Sequence, residues 1–167
     1  MTRVARFHAD RTNQKLYFAR LACAQAQQSD HVQQAQAQRE AAVFHLHGAV
    51  QAFLQELVRY YRLQDLYPTL HSIQEKMADK GQVSPEVTIL QKLYQDGFLA
   101  ELKRAYRLCQ YAPEPSAPEP ESETSSQLII KVTQSPQAWL PDCEILREWH
   151  RELTDLIDGF RNEMVEF

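Results

Sequence analysis

Hydrophobic residues recur at alternating steps of three and four positions in two segments of the chain. The first set is Val43, Leu46, Val50, Phe53, Leu57 and Tyr60, and the second set is Leu146, Trp149, Leu153, Leu156 and Phe160. This spacing places each set on one face of an α-helix. A helix with an apolar face has to bury it against another element, so the two stripes predict helices that pack together in a bundle.

The first stripe belongs to a helix predicted over residues 31–63. Three small residues lie on the back of that helix: Gly48, Ala49 and Ala52. A helix that is apolar on one side and small on the other is usually surrounded by its neighbours, so we expect it at the centre of the fold. Asp30 is its predicted N-cap, with Gln33 as the reciprocal partner of a capping box.

Local signals divide the rest of the ordered chain into further helices. A helix over about 9–28 leads into alternating alanines and glutamines, which indicate the exposed end of a helical hairpin. Gly81 is placed to end a short helix that follows Pro68. Ser84 and Pro85 then form a strong start for the next helix. That helix is expected to bend or break at Asp96-Gly97.

The predicted fold class is all-α, an antiparallel helical bundle of about four to six helices in a single domain over residues 1–167. A C-terminal helix over 142–166, capped by Asp142, is expected to pack back on the bundle. Residues 112–127 contain only small, polar, proline and glutamate residues and predict a flexible acidic linker. The β-branched run 128–132 favours an extended segment, and whether it forms a strand stays open.

Charge is unevenly distributed along the chain, whose formal net charge is −4. Residues 1–40 contain six basic and three acidic side chains, whereas residues 142–167 contain eight acidic and three basic ones. This asymmetry favours packing of the first helix beside the last, and the overall acidity argues against a nucleic-acid partner.

The three cysteines, Cys23, Cys109 and Cys143, are odd in number and lack C-x-x-C spacing, so neither a disulfide framework nor a zinc site is predicted. The N-terminal residues lead into polar sequence without an apolar signal region, and no apolar run is long enough to span a bilayer. These features predict a cytoplasmic protein without a membrane partner. No phosphate-binding loop, nucleophile elbow or zinc-protease motif occurs in the sequence, so no cofactor or metal is expected.

Histidines supply the few candidates for chemistry. His45 and His47 form an H-x-H pair, but residues two apart on a helix diverge by about 200°, so shared metal binding is not expected. His150 lies outside the C-terminal stripe, near Arg147 and Arg151, and is predicted to be solvated.

Arg39 and His45 are separated by five residues. This arrangement resembles the arginine–histidine motif of the HEPN domains, helical bundles of which several are metal-independent ribonucleases built at a dimer interface. The resemblance implies that Arg39 would steady a phosphate and that His45 would serve in acid–base chemistry.

Basic residues interleaved with aromatic ones form a second candidate site. They are Arg59, Arg62, Lys103, Arg104 and Arg107. Such interleaving can hold phosphates while bases stack on the rings, but basic side chains on an ordinary solvated helix face explain the pattern equally well. Nucleic acid is therefore a possible partner that the charge balance does not favour.

Blocks of the sequence resemble a family of small gammaproteobacterial proteins of unknown function. They are RTNQKLYFARL (11–21), REAAVFHLHGAV (39–50), YYRL (60–63) and REWHRELTDLID (147–158). This resemblance implies a bacterial protein but assigns no activity. We therefore expect a non-enzymatic interaction or adaptor module that binds another protein or itself, with the HEPN-like RNA- or nucleotide-directed function as the alternative.

Overall fold

The computed structural model describes residues 3–111 and 140–165, with side chains from residue 9 to 111 and 140 to 164. These residues form an all-α fold of six helices, as the sequence predicts. The helices are α1 (Arg3–Gln28), α2 (Val32–Tyr60), α3 (Leu70–Asp79), α4 (Pro85–Asp96), α5 (Phe98–Gln110) and α6 (Cys143–Val165). The predicted linker over 112–127 and the question of a strand over 128–132 lie outside the described residues.

Helix α2 lies at the centre, as its apolar face and its opposite face of small residues predict. Ten of its residues are buried: Ala42, Val43, Leu46, Ala49, Val50, Ala52, Phe53, Leu54, Leu57 and Val58. Helix α1 covers one side of α2, and α5 and α6 pack on others. The buried positions extend around about two thirds of the helix at 100° per residue, and α1, α5 and α6 each pack on part of that surface.

Small residues set the close packing of α1 on α2. Ala19, Ala22 and Cys23 of α1 are buried against α2 in the same core cluster. At Gly48 of α2, a Cβ atom would lie 3.4 Å from Cδ of the Lys15 side chain. The two helices form the hairpin that the sequence predicts, and the glutamine-rich start of α2 is exposed at its tip.

The C-terminal helix α6 returns to the bundle through its predicted apolar stripe, with one change in register. Leu146, Trp149, Leu153 and Phe160 are buried, but the fully buried position after Leu153 is Ile157, and Leu156 is only half-buried. The Phe160 ring stacks on Phe53 of α2 with centroids 5.7 Å apart. The stripe therefore follows the 3.6-residue helical period rather than the strict heptad.

A polar network joins the C-terminal half of α6 to α1 and α2. The Arg161 guanidinium donates two hydrogen bonds to the Glu56 carboxylate, at 2.7 Å and 3.1 Å. The buried Thr12 hydroxyl donates to the same carboxylate at 2.5 Å, and Arg161 also donates to Asn13 at 2.8 Å. Helices α1 and α6 thus lie together, and two α6 arginines donate hydrogen bonds to α1 side chains, Arg161 to Asn13 and Arg147 to Gln27.

Four predicted helix signals take the expected geometry. Ser84 caps α4 by accepting the Val87 N–H, and the Ile145 N–H donates to the Asp142 carboxylate at 2.9 Å at the start of α6. Gly81 follows α3 with φ of 67°, and Gly97 separates α4 from α5.

Both predicted ends of α2 are wrong. The N-cap residue is His31, whose side chain makes no cap hydrogen bond. Asp30 lies one position too early, and the Ser29 hydroxyl instead accepts the His31 N–H at 3.3 Å. At the other end, α2 stops at Tyr60 instead of residue 63 because Arg62 adopts a left-handed backbone with φ of 53°.

The turns at Arg62 and Gly81 have the same hydrogen-bond pattern. The Leu63 N–H donates to Val58 at 2.8 Å and the Arg62 N–H to Arg59 at 3.1 Å, which closes a Schellman motif. The Gln82 and Gly81 N–H groups make the equivalent bonds after α3. The motif after α3 therefore has glycine, Gly81, at the left-handed position, which that conformation favours. The motif after α2 has an arginine, Arg62, at the same position.

Truncation of the central seam tests the packing. Leu57 and Leu153 are 0% and 1% exposed, so Leu57→Ala and Leu153→Ala should each lower the free energy of unfolding by about 2–5 kcal/mol. Leu66→Ala, at a residue that is 81% exposed in the α2–α3 loop, is the matched control and should have almost no effect. Urea denaturation measures all three, and unchanged midpoints for both core variants would contradict the assigned core.

The two turns predict opposite effects of glycine. Arg62→Gly should raise the free energy of unfolding by about 0.5–1 kcal/mol because it removes a side chain from a left-handed residue. Gly81→Ala should lower it by about 1 kcal/mol for the same reason, since a Cβ at Gly81 meets no atom within 4 Å and so adds no clash. Thermal or urea unfolding measures both variants. If both substitutions changed the free energy of unfolding in the same direction, backbone geometry would not determine the energetics of these turns.

Candidate functional site

A solvent-facing groove separates α5 from α6. Both helices pack on α2, but their outer faces diverge and leave two adjoining cavities of about 500 Å³ and 460 Å³. The two cavities share Glu101 and Trp149, so they are parts of one groove. We call it the α5–α6 groove. It runs from Asp96 and Gly97 at the start of α5 to Leu108 near its end, about 18 Å at 1.5 Å per residue.

Helical spacing determines which side chains line this groove. On α5, Glu101, Ala105 and Leu108 recur at steps of four and three and therefore share one face. On α6, Ile145 and Trp149 are four residues apart and face them. Trp149 is only 6% exposed and forms the floor, whereas Ile145 is 40% exposed at the rim. The groove thus has an apolar floor that solvent reaches from one side.

Acidic side chains dominate the walls of the α5–α6 groove. Among its lining residues the only cation is Arg104, against five carboxylates: Asp96, Glu101, Asp142, Glu148 and Glu152. Glu148 has a further arginine, Arg151, at 3.8 Å, but both side chains are largely exposed, so this pair adds little. The groove therefore combines apolar contact area with a negative field, which is strongest near Glu148 and Glu152.

The far end of the groove is fixed to α2 by Arg39. Its guanidinium Nη1 donates to the carbonyl oxygen of Pro141 at 3.5 Å. Pro141 lines the groove together with Leu140, which is buried in the core cluster. Arg39 thus positions the entry to α6, and its sequence-predicted role toward a phosphate stays a prediction.

The structure does not bring Arg39 and His45 together within one chain. They are six residues apart on α2, which corresponds to about 9 Å along the axis and about 240° around it. The His45 ring packs edge-on against Phe18 of α1, with centroids 5.3 Å apart. Its pKa is lowered by burial and, to a lesser degree, by Lys15 and Arg11. His45 is therefore a neutral imidazole near neutral pH, and its Nδ1 is enclosed without a hydrogen-bond partner.

The five predicted basic residues lie on two elements. Arg59 and Arg62 are at the C-terminal end of α2, where the Arg62 carbonyl accepts from Lys80 at 3.2 Å. Lys103, Arg104 and Arg107 are on α5. Because Lys103 and Arg104 are adjacent, they lie about 100° apart around α5: Arg104 lines the α5–α6 groove and Lys103 lines a cleft on another side.

The predicted solvation of His150 is wrong. Its Nε2 lies 3.0 Å from the Leu16 carbonyl oxygen of α1, and the ring is half-buried. Burial is the main cause that lowers its pKa. Sequence spacing placed His150 outside the apolar stripe of α6, but it could not show that α1 packs over that side of the helix.

The acidic wall of the groove was not predicted from the sequence. Glu148 and Glu152 are four residues apart and flank Trp149 on α6. The available signal was an acidic pair of this spacing on either side of a tryptophan. Whether this pair forms the wall of a groove depends on the position of α5, which the sequence alone does not predict.

The described residues lack two kinds of feature, a membrane-spanning helix and a cluster of metal ligands. None of their helices combines the length and the apolar character that crossing a bilayer requires. Across residues 3–111 and 140–165, no three side chains of the types histidine, cysteine, aspartate and glutamate converge as metal ligands would.

Comparison with known proteins gives a family without an assigned activity. The model of a family of unknown function, DUF6586, matches residues 7–167. No curated protein and no solved structure matches the chain. The resemblance seen in the sequence is thus confirmed at the level of a family of unknown function, and because the match covers nearly the whole chain, the protein belongs to DUF6586.

Proposed function

We propose that this protein is a non-enzymatic interaction module that binds a basic amphipathic helix of a partner protein in the α5–α6 groove. The observation that carries the proposal is the pairing of an apolar floor at Trp149 with walls that contain five carboxylates and one guanidinium. A helix presenting apolar residues on one side and lysines or arginines beside them complements both features.

The dimensions of the groove support a helical ligand. A length of about 18 Å accommodates about three turns of α-helix. Leu108, Ala105 and Ile145 form the apolar lining of the half of the groove near the end of α5, which suits anchors spaced three and four residues apart on the ligand. Partly buried apolar positions beside a solvated rim are also the arrangement in which protein interfaces concentrate their binding energy.

Electrostatics supports a basic partner over an acidic one. Glu148 and Glu152 line the wall with no basic side chain of α5 directly adjacent in that cavity. Exposed carboxylates of this kind accelerate association with a cationic ligand and discriminate against anionic ones, and salt screens the effect. Polyanions such as RNA are disfavoured in this groove for the same reason.

Charge reversal on α6 tests the proposal. A fluorescent peptide of about four turns, with leucine on one face and lysine beside it, should bind the wild-type protein. Glu148→Lys/Glu152→Lys should raise its Kd about tenfold or more at low salt, since two attractive contacts become repulsive. The matched control is Glu75→Lys/Asp79→Lys, which reverses two exposed charges of the same spacing on α3 and should leave Kd near the wild-type value. Fluorescence anisotropy measures each Kd.

Three results would contradict a partner helix in the groove. If the α6 and α3 variants lost peptide affinity equally, the peptide would be responding to the net charge of the protein alone. Equal binding of a scrambled peptide of the same composition would show that helical amphipathicity has no role. Sedimentation equilibrium serves as the third check, because a wild-type dimer that dissociates on reversal at Glu148 and Glu152 would place a second copy of this chain in the groove.

The HEPN-like alternative has its own test. We expect the purified protein to cleave no RNA, because Arg39 contacts the Pro141 carbonyl and the His45 ring packs against Phe18 within the bundle. Metal-independent cleavage that disappears in both Arg39→Ala and His45→Ala, with melting temperatures near that of the wild type, would overturn the non-enzymatic proposal. The double variant should then be little worse than either single one, because a phosphate-holding arginine and an acid–base histidine act as a unit. Cleavage that survives both substitutions would indicate a contaminating nuclease.

A further inference from the structure

A second cavity, of about 580 Å³, lies between α2, α3, α4 and α5. Lys103 of α5 lines it, and because Lys103 is about 200° around the helix from Glu101, this cavity and the α5–α6 groove lie on different sides of α5. We call it the His47 cleft. Its volume is within the range of about 300–1,000 Å³ that is usual for small-molecule sites.

The lining of the His47 cleft is polar but contains no acidic side chain. Its residues are His47, Gln51, Leu54, Thr69, Leu70, His71, Gln74, Gln91, Tyr94, Gln95 and Lys103. One lining residue, His71, pairs with Glu75 at 3.3 Å, and both of these side chains are largely exposed. The Lys103 ammonium is therefore the charge that a ligand in this cleft would meet, and it favours an anion.

Aromatic rings form one wall of this cleft. The His47 imidazole stacks on Tyr106 of α5, with centroids 3.9 Å apart and an angle of 16° between the planes. The Lys103 ammonium lies 5.8 Å from the centroid of the Tyr94 ring. Burial raises the pKa of Tyr94 to about 12, so its phenol is neutral at physiological pH. A flat ligand can contact these rings while a charged group of the same ligand reaches Lys103.

His47 has an unused hydrogen-bonding capacity at the cleft. Its pKa is lowered by burial and by Lys103, so the imidazole is neutral near neutral pH. Its Nδ1 is enclosed and has no hydrogen-bond partner among the described residues. The ring is part of the cleft lining, so it offers a neutral aromatic surface to a ligand.

Glutamine amides complete the polar lining. The Gln91 amide donates to the Gln74 side-chain oxygen at 2.6 Å, which joins α4 to α3 across the cleft. Gln51 and Gln95 are exposed and line the cleft from α2 and α4. Their amide groups can donate to an anionic oxygen or to a ring carbonyl without adding charge of their own.

We propose that the His47 cleft binds a small organic anion with a planar ring, whose charged group contacts Lys103 and whose ring lies against His47 and Tyr94. Gln95 lines both this cleft and the α5–α6 groove, but Lys103 lines only the cleft, and the cleft takes a ligand of opposite charge. A phosphate or carboxylate group is equally suitable at Lys103, since both are oxyanions that accept charge-assisted hydrogen bonds from an ammonium.

Phenyl phosphate is the probe that tests this proposal on the full-length protein. Isothermal titration calorimetry should detect binding to the wild type. Lys103→Gln should weaken it about tenfold or more, as expected for loss of a hydrogen bond between charged groups. Lys92→Gln, which removes an equal charge from an exposed position on α4 outside the cleft lining, should retain the wild-type affinity.

Matched probes separate the role of the charge from the role of the ring. Inorganic phosphate should bind more weakly than phenyl phosphate, and benzylamine, which carries the opposite charge, should not compete. Absence of phenyl phosphate binding, equal affinity in Lys103→Gln and Lys92→Gln, or competition by benzylamine would each overturn the proposal. NMR spectra of the complex should show the largest shifts at Lys103, Tyr94 and His47, and shifts confined to the α5–α6 groove would overturn the location.

Discussion

The fold depends on the burial of one helix over most of its circumference. Helix α2 is buried at ten positions from Ala42 to Val58, with Phe44 and Gln51 exposed on the remaining side, and no single neighbour can cover so wide a surface. Helices α1, α5 and α6 share that task. Helix α6 also packs on α1 and α5 also packs on α4, but gaps remain between outer helices that do not pack closely on each other, such as α5 and α6. The α5–α6 groove and the His47 cleft are two of these gaps.

Helix α5 separates two surfaces of opposite electrostatic character. Its buried face contains Leu99, Leu102 and Ala105, and the residues on either side of that face diverge with the helical period. Glu101 therefore contributes to an acidic groove, and Lys103, only two positions later, contributes to a cleft without carboxylates. A short helix anchored on one face is therefore sufficient to present both surfaces.

The sequence predicts those parts of the fold that depend on neighbouring residues. The apolar periodicity of α2 and α6 predicts both helices and the central place of α2, and Ser84-Pro85 and Asp142 mark helix starts that the structure confirms. The errors arise where geometry overrides residue preference. Arg62 takes a left-handed conformation that normally favours glycine, because the tertiary contacts of Leu63 and Tyr61 with the core hold the turn. His150 is half-buried because α1, which is over 100 residues distant in sequence, packs across it.

The candidate sites could not be predicted in the same way, because each requires residues from separate helices. Trp149 is recognisable from its stripe as a core residue, but its role as the floor of a groove depends on where α5 lies. His47 and Lys103 are 56 positions apart in the sequence, and nothing in either segment indicates that one cleft contains both. Their significance lies in what surrounds them: a carboxylate beside Lys103 would make it an ordinary ion pair, and its absence from the lining is what directs the cleft toward an anion. Both proposed binding sites therefore depend on which charges the packing around α2 brings together at its edges.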